Sequence, residues 1–328
     1  MNRLRIGLLG CGGIGKRHAS AVAALSDQMQ LVACCGRDPE RTKAFAVEQG
    51  ASAFVDLDRM IEEGRPDLVV VALPPSAHQG EVERLAAAGI HLLVEKPIAL
   101  EQARADAMVA AAKRSGVVAA TGFMYRFGGA VRRWKETDTG RAGLFAGSYH
   151  CNALHADWWR EEAKSGGQML EQVIHQIDLV RHLMGDPDSV VARRANLFHR
   201  DVPRYDIEDV SAILFGWDDG RVATLNASNI AVPGVWHKDW AIFAERMTGR
   251  FTGWNDAVFT PTLQGASPEP ISGATDPFVA QLADVASAIR DRREPHVPLA
   301  EGAATLRLAL AARRAADEGR EIRIGHGF

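Results

Sequence analysis

The chain has 328 residues, 47% of them hydrophobic, enough for two domains with cores of their own. Its 38 Lys and Arg against 41 Asp and Glu leave a net charge of -3, which excludes a basic face for nucleic acid or anionic lipid. No apolar run approaches the roughly 20 residues that cross a bilayer.

The first residues, Arg3-Leu4-Arg5-Ile6-Gly7-Leu8-Leu9, read as a strand and leave no room for a leader peptide. The strand runs into Gly10-Cys11-Gly12-Gly13-Ile14-Gly15, and apolar or small residues then recur at helical spacing. Strand, G-x-G-x-x-G and helix is the order a dinucleotide-binding turn needs. Gly10 permits the tight turn, Gly12 lets the backbone approach a pyrophosphate, and Gly15 lets the helix pack on the strand. The helix N-terminus, from Gly13 and Ile14, offers N–H groups to the phosphates.

Leu31 to Cys35 read as a second strand, ending in Gly36-Arg37-Asp38-Pro39-Glu40-Arg41. In NAD-binding forms of this arrangement an Asp or Glu about 20 residues past the glycine turn holds the ribose 2′-hydroxyl. Gly36 occupies that place, with Arg37 next and Arg41 one helical turn on. A small residue flanked by arginines makes room for a 2′-phosphate and pairs with it, so NADP is the expected cofactor. A solvated Arg37 would instead leave a protein that takes NAD or NADP.

The alternation continues with helices over 44–49 and 57–62, a short strand at 53–54 and a nearly all-apolar strand over 67–73. That strand stops at Pro74-Pro75, and a helix is expected over 78–88. Another buried strand over 90–94 ends in Glu95-Lys96-Pro97, followed by a helix over 101–114 and a strand over 116–121. This is a doubly wound parallel sheet, whose ligands collect at the carboxyl ends of the strands. Leu73, Pro74, His78, Glu95 and Lys96 lie there and are expected to meet the cofactor. His78 could line the nicotinamide pocket or cap its helix.

After Gly122 the rhythm changes. A crossover and helix over 123–135 lead to a strand over 143–153, a polar loop with Trp158-Trp159-Arg160, and a helix over 169–184. Strands follow over 189–198, 210–216 and 222–228, the last two joined by the hairpin signal Asp218-Asp219-Gly220. The stretch 262–275 reads as a mobile loop, and two helices over 276–290 and 300–316 close the chain. The fold class expected is α/β. An N-terminal Rossmann domain spans 1–122, and a C-terminal α+β domain on a mostly antiparallel sheet spans 123–328, its final helix near the first domain.

The glycine turn with His18, Pro74-Pro75-Ser76-x-His78, Glu95-Lys96-Pro97, Tyr125-Arg126-Phe127 and residues 165–185 resemble the Gfo/Idh/MocA oxidoreductases, a family of sugar and polyol dehydrogenases. The resemblance implies a catalytic group made by the lysine of E-K-P and a D-x-x-x-H pair on the first helix of the second domain. Lys96 and His175 match; Glu171 holds the place of the Asp, and Gly166-Gly167-Gln168 stands where three glycines are usual. The longer carboxylate either contacts substrate or only orients His175, and points to a subgroup with its own substrate. The family also implies a homo-oligomer, dimer or tetramer, paired through its outer sheet face.

The residues support this chemistry independently. Positions 171, 175 and 178 are spaced to share one face of a helix, and Glu171, His175 and Asp178 among apolar neighbours need partners. Oxidising a secondary alcohol requires a base, which His175 suits, and a cation for the developing alkoxide, which Lys96 suits. Arg126, Tyr149, His155, Trp158 and Arg160 lie in stretches expected to face a polyhydroxy substrate, with Asp178 beside them and more structural in character. Cys11, Cys34, Cys35 and Cys151 have neither disulfide-framework nor metal-ligand spacing, which predicts small thiols in a reducing cytoplasm and no metal. Two rival readings are a dinucleotide-binding sugar sensor without chemistry, and an enzyme whose tightly held cofactor serves transient oxidation.

Overall fold

The structure, a computed structural model, describes residues 3–152, 154 and 156–325. The chain divides into two compact units, Met1–Met124 with Asp276–Ala303, and Tyr125–Thr275 with Ala304–Phe328.

The first unit is built on six strands, β1 (Leu4–Leu9), β2 (Met29–Cys35), β3 (Ser52–Phe54), β4 (Leu68–Val71), β5 (His91–Val94) and β6 (Ala119–Thr121). All pair in parallel, in the order β3-β2-β1-β4-β5-β6. β4 is Leu-Val-Val-Val with every side chain fully buried, as a strand covered on both faces must be. The chain reverses direction across the sheet between β1 and β4, the place where this topology opens a crevice at the strand ends.

Local chemistry sets the helix boundaries. Asp38 caps the helix Pro39–Glu48 by accepting from the Arg41 N–H at 3.1 Å, with Pro39 in the first turn. The helix expected over 78–88 begins only at Glu81. Pro75–Ala77 form a single 3-10 turn, and Gly80 takes φ +104°, which interrupts the run. The helix Pro277–Asp291, capped by Asp276, belongs to this unit, where its Gln281 amide donates to the Thr121 carbonyl at 2.9 Å.

The second unit carries β7 (Ala142–His150), β8 (Ser189–Ala195), β9 (Val210–Gly216), β10 (Val222–Ser228), β11 (His237–Ala244), β12 (Met247–Phe251), β13 (Asp256–Pro261), β14 (Glu269–Ser272) and β15 (Ile322–Arg323). They form one sheet in the order β14-β13-β12-β11-β7-β10-β9-β8-β15, antiparallel except where β7 and β10 pair in parallel. β9 and β10 are the expected hairpin. The stretch expected as a mobile loop, 262–275, contains β14, an edge strand with Pro270 that pairs only with β13. Burial alternates along β9 and β10, so one sheet face is covered and the other carries exposed Leu214.

The helical stretch expected over 169–184 lies on the covered face, but it is not uniform. Met169–Val173 make a π-turn and Ile174–Met184 an α-helix. Gln176 ties it to the sheet, its amide donating to the Ser148 carbonyl at 2.8 Å and the Asp239 carbonyl at 3.2 Å. Gly147 leaves room for this approach, since a Cβ there would sit 2.7 Å from the Gln176 Oε1.

Candidate active site

In the first unit the polar groups gather at the carboxyl ends of the parallel strands. Gly10 takes φ +107°, and a Cβ on it would lie 2.4 Å from the Ala72 carbonyl oxygen. A Cβ on Gly15 would lie 2.2 Å from the Gly10 oxygen. Gly12 and Gly13 are the reverse case, exposed with open space where a side chain would go. The helix Gly13–Ala24 starts there with no side chain capping it, and Ile14 stands 43% exposed on its first turn. An open backbone cradle under uncapped N–H groups fits a dinucleotide pyrophosphate. Leu73 and Pro74 follow β4, half-buried, beside it.

Gly36 follows β2 and is held tightly: a Cβ there would meet the Thr42 hydroxyl at 2.5 Å. Arg37 and Arg41 are both exposed, and no carboxylate occupies position 36. The Asp38 carboxylate is engaged in capping its helix.

Two buried His–Glu pairs flank this end. His18, on the helix behind the glycine turn, meets the Glu95 carboxylate at 2.7 Å, with both side chains less than a tenth exposed. The second Glu95 oxygen accepts from the Lys96 N–H at 3.2 Å. Gly122 is required beside it, because a Cβ would come within 2.8 Å of the Glu95 carboxyl. Phe278 packs edge-on against the His18 ring at 5.3 Å. Lys96, half-buried, thus leaves a strand end whose neighbour is immobilised. The second pair is His78 with Glu81, whose other oxygen accepts from the Gln79 N–H at 2.7 Å. Burial alone would raise the Glu81 carboxyl; the His78 hydrogen bond and charge outweigh it and hold the group below its ordinary value.

In the second unit Tyr125 and Arg126 meet the face that carries His175 and Asp178. The Tyr125 ring lies flat on the His175 ring, centroids 4.6 Å apart and planes 7° from parallel. Arg126, expected to face a substrate, is 4% exposed and closes on Asp178 through two bonds, Nε–Oδ2 at 2.8 Å and Nη2–Oδ1 at 2.6 Å. Thr305 adds a third donor to Asp178 at 3.2 Å. Burial raises the Tyr125 and Tyr149 hydroxyls, and the charge of Glu171, 8% exposed on the π-turn, adds to it. Both phenols therefore stay protonated at neutral pH.

Glu208 anchors the start of this helical stretch. Its carboxylate accepts from the Met169 N–H at 2.8 Å, and Gly167, at φ +88°, gives it room: a Cβ would be 2.6 Å away. Burial pushes the Glu208 carboxyl up, against the Met169 N–H and the Arg194 charge. Gln168 is 1% exposed, and among the described residues its amide has no hydrogen-bond partner.

An aromatic group that the sequence reading missed surrounds Lys238. Its ammonium lies 5.6, 5.0 and 5.5 Å from the ring centroids of Tyr149, Trp236 and Trp254. Trp254 also contacts Tyr125 at 4.9 Å, so this group is continuous with the His175 stack. Trp236, two residues before Lys238, is the one local signal, since alternate residues of a strand share a face; the other two rings come from tertiary structure, with the pairing of β11 with β7 putting Lys238 opposite Tyr149. Trp158 stacks edge-on against Trp159, and the Arg160 guanidinium donates to the Leu154 carbonyl at 3.0 Å. His155 lies outside the described residues. Among them, no cluster of three His, Cys, Asp or Glu has metal-site geometry, and no helix is long and apolar enough to cross a membrane.

Residues 4–123 match the oxidoreductase family with an NAD-binding Rossmann fold, GFO/IDH/MocA, and residues 127–248 match that family's C-terminal domain. The chain is 29% identical over 337 residues to inositol 2-dehydrogenase of Rhizobium meliloti (strain 1021), covering 98% of this chain and 99% of that one. Levoglucosan dehydrogenase, solved with NADH and levoglucosan, superposes with a TM-score of 0.91 at 20% identity, over 99% of this chain and all of that one. The WlbA dehydrogenase from Bordetella pertussis, solved with NADH and UDP-GlcNAcA, gives 0.85 at 26% identity, over 99% and 100% of the two chains.

Proposed function

The chain belongs to the GFO/IDH/MocA family of NAD-binding oxidoreductases, and we propose that it oxidises or reduces a sugar, polyol or related hydroxy compound with NADP preferred. The nicotinamide, when bound, supplies the hydride chemistry. The protein's part is to hold the reactants, place a positive charge and move one proton. The observation that carries the reading is the chain from the glycine-turn helix through His18 and Glu95 to the Lys96 N–H. It ties the lysine to the dinucleotide cradle within one rigid set of buried contacts.

In this reading Gly10, Gly12, Gly13, Ile14 and Gly15 hold the pyrophosphate, with Leu73, Pro74 and His78 lining the neighbouring strand end. Lys96 stabilises the developing alkoxide by its charge. His175 takes the hydroxyl proton in oxidation and returns it in reduction, its ring kept in plane by Tyr125. Glu171 orients His175 or the substrate. Tyr149, Trp158 and Arg160 contact the substrate, joined by Lys238. To the Arg126–Asp178 pair we assign the positioning of Tyr125 and His175, because each charge is already engaged by the other.

The preference for NADP rests on Gly36, where a carboxylate would repel a 2′-phosphate, and on exposed Arg37 and Arg41. The exposed apolar side chains of the open sheet face, Val191, Leu214 and Val258, suit a homo-oligomer contact. Four free cysteines suit a reducing compartment, the cytoplasm.

The test is a fluorescence titration with NADPH and NADH, followed by a screen of polyols and sugars. A tenfold or greater preference for NADPH, abolished by Arg37→Ala, is expected, as about 1.4 kcal/mol per decade of affinity. Equal binding or tighter NADH would refute the NADP assignment. Cofactor binding with no turnover of any alcohol would favour the sensor over the enzyme.

A further inference from the structure

From Ser165 to Val180 every residue is buried except His175, which is half-buried. This stretch of the second unit therefore opens at one imidazole. A line of contacts leads from there to a cation. Trp254 touches the Tyr125 ring that lies on His175, and the Lys238 ammonium stands over Trp254. Trp254 and Lys238 are themselves half-buried, and Trp236 is 36% exposed. The sheet places Lys238 there. It lies opposite Tyr149 across the β7–β11 pair, and shares a strand face with Trp240, which stacks on Tyr125 at 6.2 Å.

We propose that Lys238 sets the specificity of this site, and that the substrate is a sugar acid whose carboxylate pairs with the Lys238 ammonium while one of its hydroxyls meets His175. This rests on the reading that the substrate is handled at His175. An aromatic face attracts a cation but is a weak acceptor for its N–H donors, whereas a carboxylate satisfies charge and donors together. The rings of Tyr149, Trp236 and Trp254 also displace water from the sides of the ammonium. A charge pair in such surroundings is stronger than in bulk solvent.

The balance of charge selects the anion. A phosphate monoester brings nearly two negative charges at neutral pH, and a single ammonium balances the one charge of a carboxylate. Arg126 is closed on Asp178, and Arg160 is engaged by the Leu154 carbonyl and the Asp157 carboxylate. Glu171 is the opposing charge of the neighbourhood, but it is 8% exposed while Lys238 is half-buried. The charge that an incoming ligand meets is therefore positive.

The full chain, loaded with NADPH or NADH, is titrated by calorimetry with D-glucuronate, D-galacturonate and D-gluconate, and with D-glucose, D-galactose, myo-inositol and glucose 6-phosphate. The same compounds are assayed for turnover with NADP and NAD. An acid is expected to bind about tenfold or more tighter than its neutral counterpart, and to be turned over in preference to it. In Lys238→Met, which keeps the stem and removes the charge, the acid-to-neutral ratio of kcat/KM should fall by about tenfold or more, mainly through KM. Lys238→Arg should restore part of it. A ratio that is the same in Lys238→Met as in wild type would make Lys238 a packing residue and overturn the assignment. Failure of all three acids to bind the wild type, or its preference for a neutral sugar or for glucose 6-phosphate, would overturn it without any variant. Acid binding that is lost in Lys238→Met, but with no turnover, would refute the dehydrogenase reading and leave the acid subsite standing. Turnover of neutral sugars ahead of acids would do the opposite.

Discussion

Replacing Asp178 by Ala takes from the buried Arg126 guanidinium the carboxylate that it pairs with through two bonds. The two side chains are 0% and 5% exposed, and their two bonds of 2.8 and 2.6 Å leave no route to solvent for either charge. Thr305, which donates to Asp178 and accepts from Arg181 at 3.1 Å, loses its acceptor in the same step. Breaking one partner of a buried ion pair costs about 3–5 kcal/mol, because the surviving charge stays desolvated. At about 2–4 °C per kcal/mol for a unit of this size, the melting temperature should fall by roughly 6–20 °C. The apolar double variant Arg126→Met/Asp178→Leu leaves no stranded charge, and should recover most of that loss. Urea and thermal unfolding of the wild type, both single variants and the double variant close a cycle whose coupling should reach several kcal/mol, of the order found for directly paired residues. Turnover should fall in Asp178→Ala even where the protein is folded, because Arg126 follows the Tyr125 that lies on His175. A loss within about 0.5 kcal/mol for Asp178→Ala, or additive single variants, would refute the reasoning.

His175→Asn should cut turnover by about 10²–10⁴-fold, the usual worth of a positioned acid/base, while the fluorescence titration with NADPH is unchanged. Loss of cofactor affinity instead would place His175 in the wrong role. Gly15→Ala puts a methyl 2.2 Å from the Gly10 oxygen, so the turn must shift. Nucleotide affinity should drop by more than about tenfold, and a variant that binds as well as wild type would contradict the cradle. The Glu81 carboxyl lies below its ordinary value of 4.5, so its pair with His78 contributes stability above that pH and loses it as pH falls through the folded value. The urea-midpoint gap between wild type and Glu81→Gln should therefore be present at about pH 6 and shrink on acidification; a gap that widens below that range would count against the pair.

Local patterns in the chain were sufficient for much of this. The apolar run of β4, the glycine spacing from Gly10 to Gly15 and the hairpin at Asp218–Gly220 each report a backbone requirement that a few adjacent residues satisfy by themselves. So did the switch from alternating βα units to long strands after Gly122, whereas the helix expected over 44–49 starts earlier, at Pro39, where Asp38 caps it. The π-turn at Met169–Val173 was not legible, because a 3.6-residue period carries no sign of one wider turn, and Glu208, remote in sequence, holds its first N–H. β14 reads as loop in the sequence because four residues with a central proline show no period, and its register comes from β13.

Sequence alone determined the parallel-sheet domain and the dinucleotide turn, since each rests on residue type and short spacing, and the family resemblance is what singled out Lys96 and His175 as candidates. Only the tertiary structure decided what surrounds them: Glu95 locked on His18, Tyr125 flat on His175, Arg126 closed on Asp178, and Lys238 among three aromatic rings. The physical reason is range. Hydrogen bonds, ring contacts and desolvation act over a few ångströms in space, between residues whose separation along the chain leaves no periodic trace.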